Sequence, residues 1–214
     1  KCWRRIEWLT GFTGSNATVI VGHDQALLWT DSRYWIQAEK ELEGSGFELM
    51  RQGAPGVKSP EEWLCQAAHS MRVAVDAQQI SVKAYKQLLE ALMNQCSAFE
   101  GQSENFIDDM WADQPPVPCH PVQLWPESIS GLSVADKLAA LREQMLAVGS
   151  TSTVELLLDN IAWLLNIRGS DINYNPLVIS ALYVGLKQCK WYVLPRDVPA
   201  EVRQALEGLV DIVP

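Results

Sequence analysis

Apolar positions fall in short runs that alternate with longer amphipathic stretches. Thr18-Val19-Ile20-Val21 is β-branched and closes at Gly22, and Ala26-Leu27-Leu28-Trp29-Thr30 follows the turn-like Gly22-His23-Asp24-Gln25. That pattern predicts a β-hairpin. Tyr34, Ala38 and Leu42 then recur at helical spacing, with Asp31 or Ser32 placed to cap the helix and Gly44 and Gly46 to stop it. Residues 47–51 read as a strand. Ser59-Pro60-Glu61-Glu62 has the cap, the first-turn proline and the acidic third position of a helix start. A strand over 72–76 follows, then an amphipathic helix over 81–94 with Tyr85, Leu88, Leu89 and Leu92 on one side.

The second half repeats this alternation. Ser133 caps a helix running to about Val148, with Leu138, Leu141, Met145 and Val148 expected inward. Residues 154–158 read as a strand, and Asp159 as the cap of a helix over 161–165 that buries Trp163 in the core. Strands are expected within 176–185 and over 190–194, and a helix from about Pro199 to Leu206. Between the halves, Gln114-Pro115-Pro116-Val117-Pro118, with Pro121 and Pro126, should be extended. The prediction is an α/β protein of two lobes: a first domain over 1–114, a linker over 115–126 and a second domain over 127–214. The lobes share an alternation but show no evident sequence repeat.

Composition narrows the function classes. Of 214 residues, 48% are apolar, which suits globular domains and excludes a disordered chain. Seventeen basic against 26 acidic residues give a net charge of −9, which argues against nucleic acid as a partner. No uninterrupted apolar run is long enough to cross a membrane. The five cysteines are odd in number and lack C-x-x-C spacing, so reduced thiols in a cytoplasmic protein are expected. His23, His69 and His120 share no metal-binding spacing, and Cys119-His120 reads as linker. The first residues, Lys1-Cys2-Trp3-Arg4-Arg5, and the last, Leu209-Val210-Asp211-Ile212-Val213-Pro214, look like the inside of domains, so a longer protein is expected.

Several local constellations invite chemistry. Gly11 and Gly14 with Ser15 suit either an anion or, more simply, a tight turn into the Thr18 strand. Arg33 in the first turn of a helix opposes the helix dipole and so needs a specific acceptor, within its own domain or on another subunit. The loop from Arg168 to Pro176 is dense in polar groups and suits a structural loop, an interface or a site rim. Gly169 is expected to end the preceding helix in a left-handed conformation. Asp31, Asp76, Asp159 and Asp171 stand near strand ends, where carboxylates in some α/β folds hold Mg²⁺. Trp3, Trp8, Trp35, Trp111 and Trp125 exceed what lobes this small can fully bury, so some are free to anchor contacts.

These same stretches resemble a known family. Arg5-Ile6, Trp8 to Ser15, Leu28-Trp29-Thr30-Asp31, Arg33-Tyr34 and Gln37-Ala38 are similar to the N-terminal part of cytosolic-type aminopeptidase P, the Xaa-Pro aminopeptidases. Ser59 to Leu64 and Val75-Asp76 continue the likeness. Leu158-Asp159, Ile161 to Leu164, Asn166, Arg168 to Ile172 and Asn175-Pro176 resemble that family's second domain. Ser32 and Ala17 stand where the family usually or often has glycine. The resemblance implies two ribonuclease H-like creatinase/prolidase N-terminal lobes with mixed sheets flanked by helices. It implies a separate C-terminal catalytic domain holding two divalent metals, Mn or Zn, that removes the residue preceding proline. This chain would carry no catalytic residue and no metal ligand. It would support homodimerisation and shape peptide access, with Arg33, Arg168 and Asp171 as candidates for subunit contacts or the substrate rim. The alternative is a stand-alone interaction module without a catalytic domain.

Overall fold

The computed structural model describes residues 2–214, which divide into two compact units with the boundary between Pro116 and Val117. In the first unit, helix α1 (Arg5–Thr10) precedes strands β1 (Thr18–Val21) and β2 (Ala26–Thr30), which pair antiparallel as the predicted hairpin. The sequence pattern shows only a turn where α1 forms; Gly11, at φ 79°, ends it by donating to Glu7. Helix α2 (Trp35–Glu41) then carries the chain to β3 (Glu48–Arg51), which lies parallel to β2. Helix α3 (Pro60–Ala67) has the predicted capping box: Ser59 accepts from Glu62 N–H, and the Glu62 carboxylate accepts from Ser59 N–H. Strand β4 (Arg72–Asp76), helix α4 (Val82–Leu92), strand β5 (Ala98–Gln102) and helix α5 (Phe106–Met110) complete the unit, with β4 and β5 parallel. Leu89 of α4, expected inward, is exposed.

In the second unit, β6 (Gln123–Leu124) lies within the proline-rich stretch, followed by helices α6 (Glu127–Ser130) and α7 (Val134–Ala147). Ser133 caps α7, and Leu138 and Met145 are buried, but Val148 lies beyond the last turn and is exposed. Strand β7 (Ser152–Glu155) is shorter and earlier than its apolar run suggests. Glu155 Oε1 accepts the N–H groups of Leu156 and Leu157, turning the chain so that helix α8 (Leu158–Leu164) begins at once. Asp159 therefore sits inside the first turn and is not the cap. Strand β8 (Ile167–Arg168) pairs with β6. Strands β9 (Ser180–Gly185) and β10 (Cys189–Val193) form an antiparallel hairpin, helix α9 (Ala200–Leu206) follows, and β11 (Asp211–Val213) lies parallel to β10. The sheet order is β11-β10-β9-β7.

Pairing reveals a repeat that composition hides. In each unit a hairpin is followed by a helix and a strand parallel to the hairpin's second strand. Both hairpins close over a loop in which a glycine N–H donates to a glutamine carbonyl at 2.8 Å: Gly22 to Gln25, and Gly185 to Gln188. From there the spacing is identical, so Leu27 opposite Glu48 matches Lys190 opposite Asp211, and Leu28 matches Trp191. Upstream, Trp8-Leu9-Thr10-Gly11-Phe12-Thr13-Gly14-Ser15-Asn16 matches Trp163-Leu164-Leu165-Asn166-Ile167-Arg168-Gly169-Ser170-Asp171. Gly11 and Asn166 both take positive φ, and Phe12 and Ile167 are both buried. Asn166, not Gly169, is thus the left-handed residue after α8. Gly169 is required for space, because a Cβ there would lie 2.6 Å from Val178 Cγ2.

Candidate functional site

In both units the chain approaches the first hairpin strand and leaves the second at a common corner. By the repeat, Asn16 corresponds to Asp171 and Arg33 to Arg196. Three of these four are charged, and the two copies solve the pairing differently.

In the first unit the corner is exposed. Asp31 caps no helix; the residue before α2 is Tyr34, and no side chain caps it. The Asp31 carboxylate instead takes Arg33 Nε and Nη2 side-on, both at 2.8 Å, and Asn16 Nδ2 at 2.7 Å. The hydrogen bonds from Arg33, then that from Asn16, hold the Asp31 carboxyl well below the usual range and raise the Arg33 guanidinium. The guanidinium also lies 5.2 Å from the centre of the Tyr34 ring, whose hydroxyl shares a 2.7 Å hydrogen bond with Ser15. Arg33 is therefore fixed in direction, yet its side chain is 66% exposed and Nη1 takes no part in the pair. Thr13 is held by the Glu41 carboxylate through its N–H and its hydroxyl. A Cβ on Gly14 would lie 2.2 Å from Phe12 Cζ, so this stretch is a tight turn built around a buried ring.

In the second unit the corner is sealed. Asp171 Oδ1 accepts His120 N–H at 2.8 Å, and Oδ2 accepts Ile179 N–H at 2.8 Å and Arg196 Nη1 at 2.9 Å. Neither partner's side chain is more than 2% exposed. Burial by itself would raise the Asp171 carboxyl; the donors on His120, Ile179 and Arg196 outweigh it and hold the group below its ordinary value. Arg196 Nη1 also donates to His120 O, and His120 Nδ1 lies 3.4 Å from Asp171. Cys119 donates to Pro195 O. The Cys119-His120 dipeptide is thus tied to this corner.

Arg168 lies apart from that pair. Its Nη1 donates to the carbonyls of Ala162 and Ile167, and its guanidinium covers the Trp125 ring at 5.0 Å. Nearby, Lys137 is 1% exposed and donates to Trp163 O at 2.8 Å and Asn166 Oδ1 at 2.6 Å. Desolvation, with help from Arg168, pulls its ammonium below the usual lysine range. Trp163 is not core: it is half exposed, with the Lys137 ammonium 4.5 Å from its ring centre. A signal for Lys137 existed in the sequence, since it stands one position before the buried Leu138 on the apolar side of α7. No local signal pointed to Arg196.

The scattered carboxylates do not assemble. Asp76 accepts from Gln78 and Asn105, Asp159 from Asn160, and Asp31 and Asp171 are engaged as above. Among the described residues no group of three or more His, Cys, Asp or Glu side chains is placed to hold a metal ion. The first unit has a polar cavity of about 200 Å³ beside the bidentate Arg5–Asp108 pair, lined also by Asp76, Glu104 and Asp109. Among the thiols, Cys119 is exposed, whereas burial pushes Cys189 up to about 11.

Two family descriptions, both Creatinase/Prolidase N-terminal domain, match the chain, one over residues 4–107 and one over 113–214. Aminopeptidase P2 of Arabidopsis thaliana is 37% identical over 211 residues, covering 97% of this chain and 30% of that protein. Xaa-Pro aminopeptidase app-1 of Caenorhabditis elegans is 36% identical over 194 residues, covering 88% of this chain and 31% of that protein. A crystal structure of the X-prolyl aminopeptidase from Caenorhabditis elegans, described as a cytosolic enzyme with a di-nuclear active site, matches with a TM-score of 0.88 and 32% identity. That match covers 98% of this chain and 34% of the other. The chain therefore spans about a third of the length of these relatives.

Proposed function

Because the chain belongs to the creatinase/prolidase N-terminal domain family, with two such domains in succession, we propose that it is the non-catalytic N-terminal part of a metal-dependent Xaa-Pro aminopeptidase. The observation that carries this reading is collinearity: the same relatives match across both units, over 97% and 98% of this chain. The parent enzyme would release the first residue of peptides with proline second. Its two metals, Mn or Zn, would sit in a further catalytic domain and would supply Lewis-acid chemistry there. The units that meet at Pro116–Val117 would be the two supporting domains, in a cytoplasmic homodimer. Arg33 and Arg168, each held in one direction with its charge unneutralised or turned outward, are the side chains for subunit contacts or the substrate rim. Asp171 supports the loop from Arg168 to Pro176 from inside, by fixing its base.

The test is direct. The 214-residue chain, supplied with Mn²⁺ and an Xaa-Pro peptide, should release no amino acid, while the longer polypeptide should. Release by the chain alone would overturn the reading. Arg33→Ala in the longer enzyme should change dimerisation or kinetics.

A further inference from the structure

The internal repeat isolates a segment that the fold does not need. In the first unit, Asn16 at the corner is followed at once by Ala17 and β1. In the second, the equivalent Asp171 is followed by eight additional residues, 172–179, before the equivalent Ser180 begins β9. The same connection is thus made with no intervening residue in one copy and with a loop in the other.

The loop is built to present its tip. Asp171 N–H donates to Leu177 O, Gly169 N–H to Pro176 O, and Asn175 N–H to Ile172 O, closing a narrow hairpin-like turn. Its base is pinned by the Asp171 carboxylate and by the fully buried Val178. At the tip, Tyr174 is fully exposed and has φ 64°. That left-handed conformation disfavours a bulky L-residue and would suit glycine. The ring therefore costs this chain stability and buries nothing in return. The added residues carry no charge, although the chain's net charge is −9. Asn173, Tyr174, Asn175 and Pro176 are all exposed, a tyrosine-asparagine surface of the kind that recognises protein surfaces rather than ions or phosphates.

We propose that residues 172–179 are a docking finger whose anchor, Tyr174, seats in an apolar pocket on the part of the same polypeptide that lies outside this chain. Its occupant is drawn from the two thirds of the relatives' length that the chain does not match. The proposal rests on the reading of the chain as the N-terminal part of a longer enzyme, but not on that enzyme's activity.

The test is a change of sign between two contexts. In the 214-residue chain, Tyr174→Gly should raise the melting temperature by about 2 °C, because strain is relieved and no contact is lost. In the longer enzyme the same substitution should lower it, while Tyr174→Phe should be close to neutral in both. An equal rise in both contexts would overturn the proposal. So would a dimer of the 214-residue chain whose concentration dependence Tyr174→Gly abolishes, since a second copy would then be the occupant. A rise in the KM for peptides with the melting temperature of the longer enzyme raised as in the short chain would also overturn it, by assigning the ring to substrate. Failure of the wild-type longer enzyme to cleave Xaa-Pro peptides would instead count against the proposed function and leave the sign change standing.

Discussion

Asp171 shows what a single residue can decide. It is a buried carboxylate that gathers two backbone N–H groups and one buried guanidinium, so its removal leaves Arg196 charged and unpaired. Asp171→Ala should cost about 3–5 kcal/mol, read from the denaturant midpoint. The pH dependence has a definite sign. The folded-state carboxyl titrates below its unfolded value of about 3.9, so its contribution is complete above that pH and is lost as pH falls through the lower folded value. Melting temperature against pH should therefore drop on the acid side in the wild type and less so in the variant. The polar density of the loop marked Asp171 in the sequence. Its partner was not legible, because Arg196 follows a separate strand and only the hairpin register brings the two together.

Elements were legible where their signals are local. The capping box of α3 needs only Ser59 and Glu62, both in one turn, and it forms as read. The start of α8 departs from the sequence pattern because Leu156 and Leu157 extend the apolar run, while the Glu155 side chain turns the backbone there. At its other end α8 depends on a distant element. Lys137 of α7 donates to the Trp163 carbonyl and to Asn166, which holds the left-handed position after the helix. Lys137→Met keeps much of the volume but leaves both acceptors without that donor. It should destabilise the second unit by about 1–3 kcal/mol, measured by urea denaturation.

For the whole molecule, the α/β class followed from alternation alone, but the repeat did not, since two chains can keep a register while exchanging most of their side chains. The cores of the copies also differ. The second unit holds a buried apolar cluster of eighteen residues, whereas that of the first has four, Phe12, Leu28, Ala38 and Leu42. Strands β4 and β5 form a parallel pair with no fully buried residue, although parallel strands are usually covered on both faces. Native-state hydrogen exchange should therefore release the amides of β1, β4 and β5 before those of β9 and β10. Uniform protection across the two units would contradict this.

The two corners also differ in what they allow to change. Where Asp31 and Arg33 meet in water, loss of one partner leaves the other to solvent at little cost to the fold. Where Asp171 and Arg196 meet out of water, neither can be replaced without stranding the other. For folding, the first corner tolerates change residue by residue, whereas the second tolerates it only as a couple.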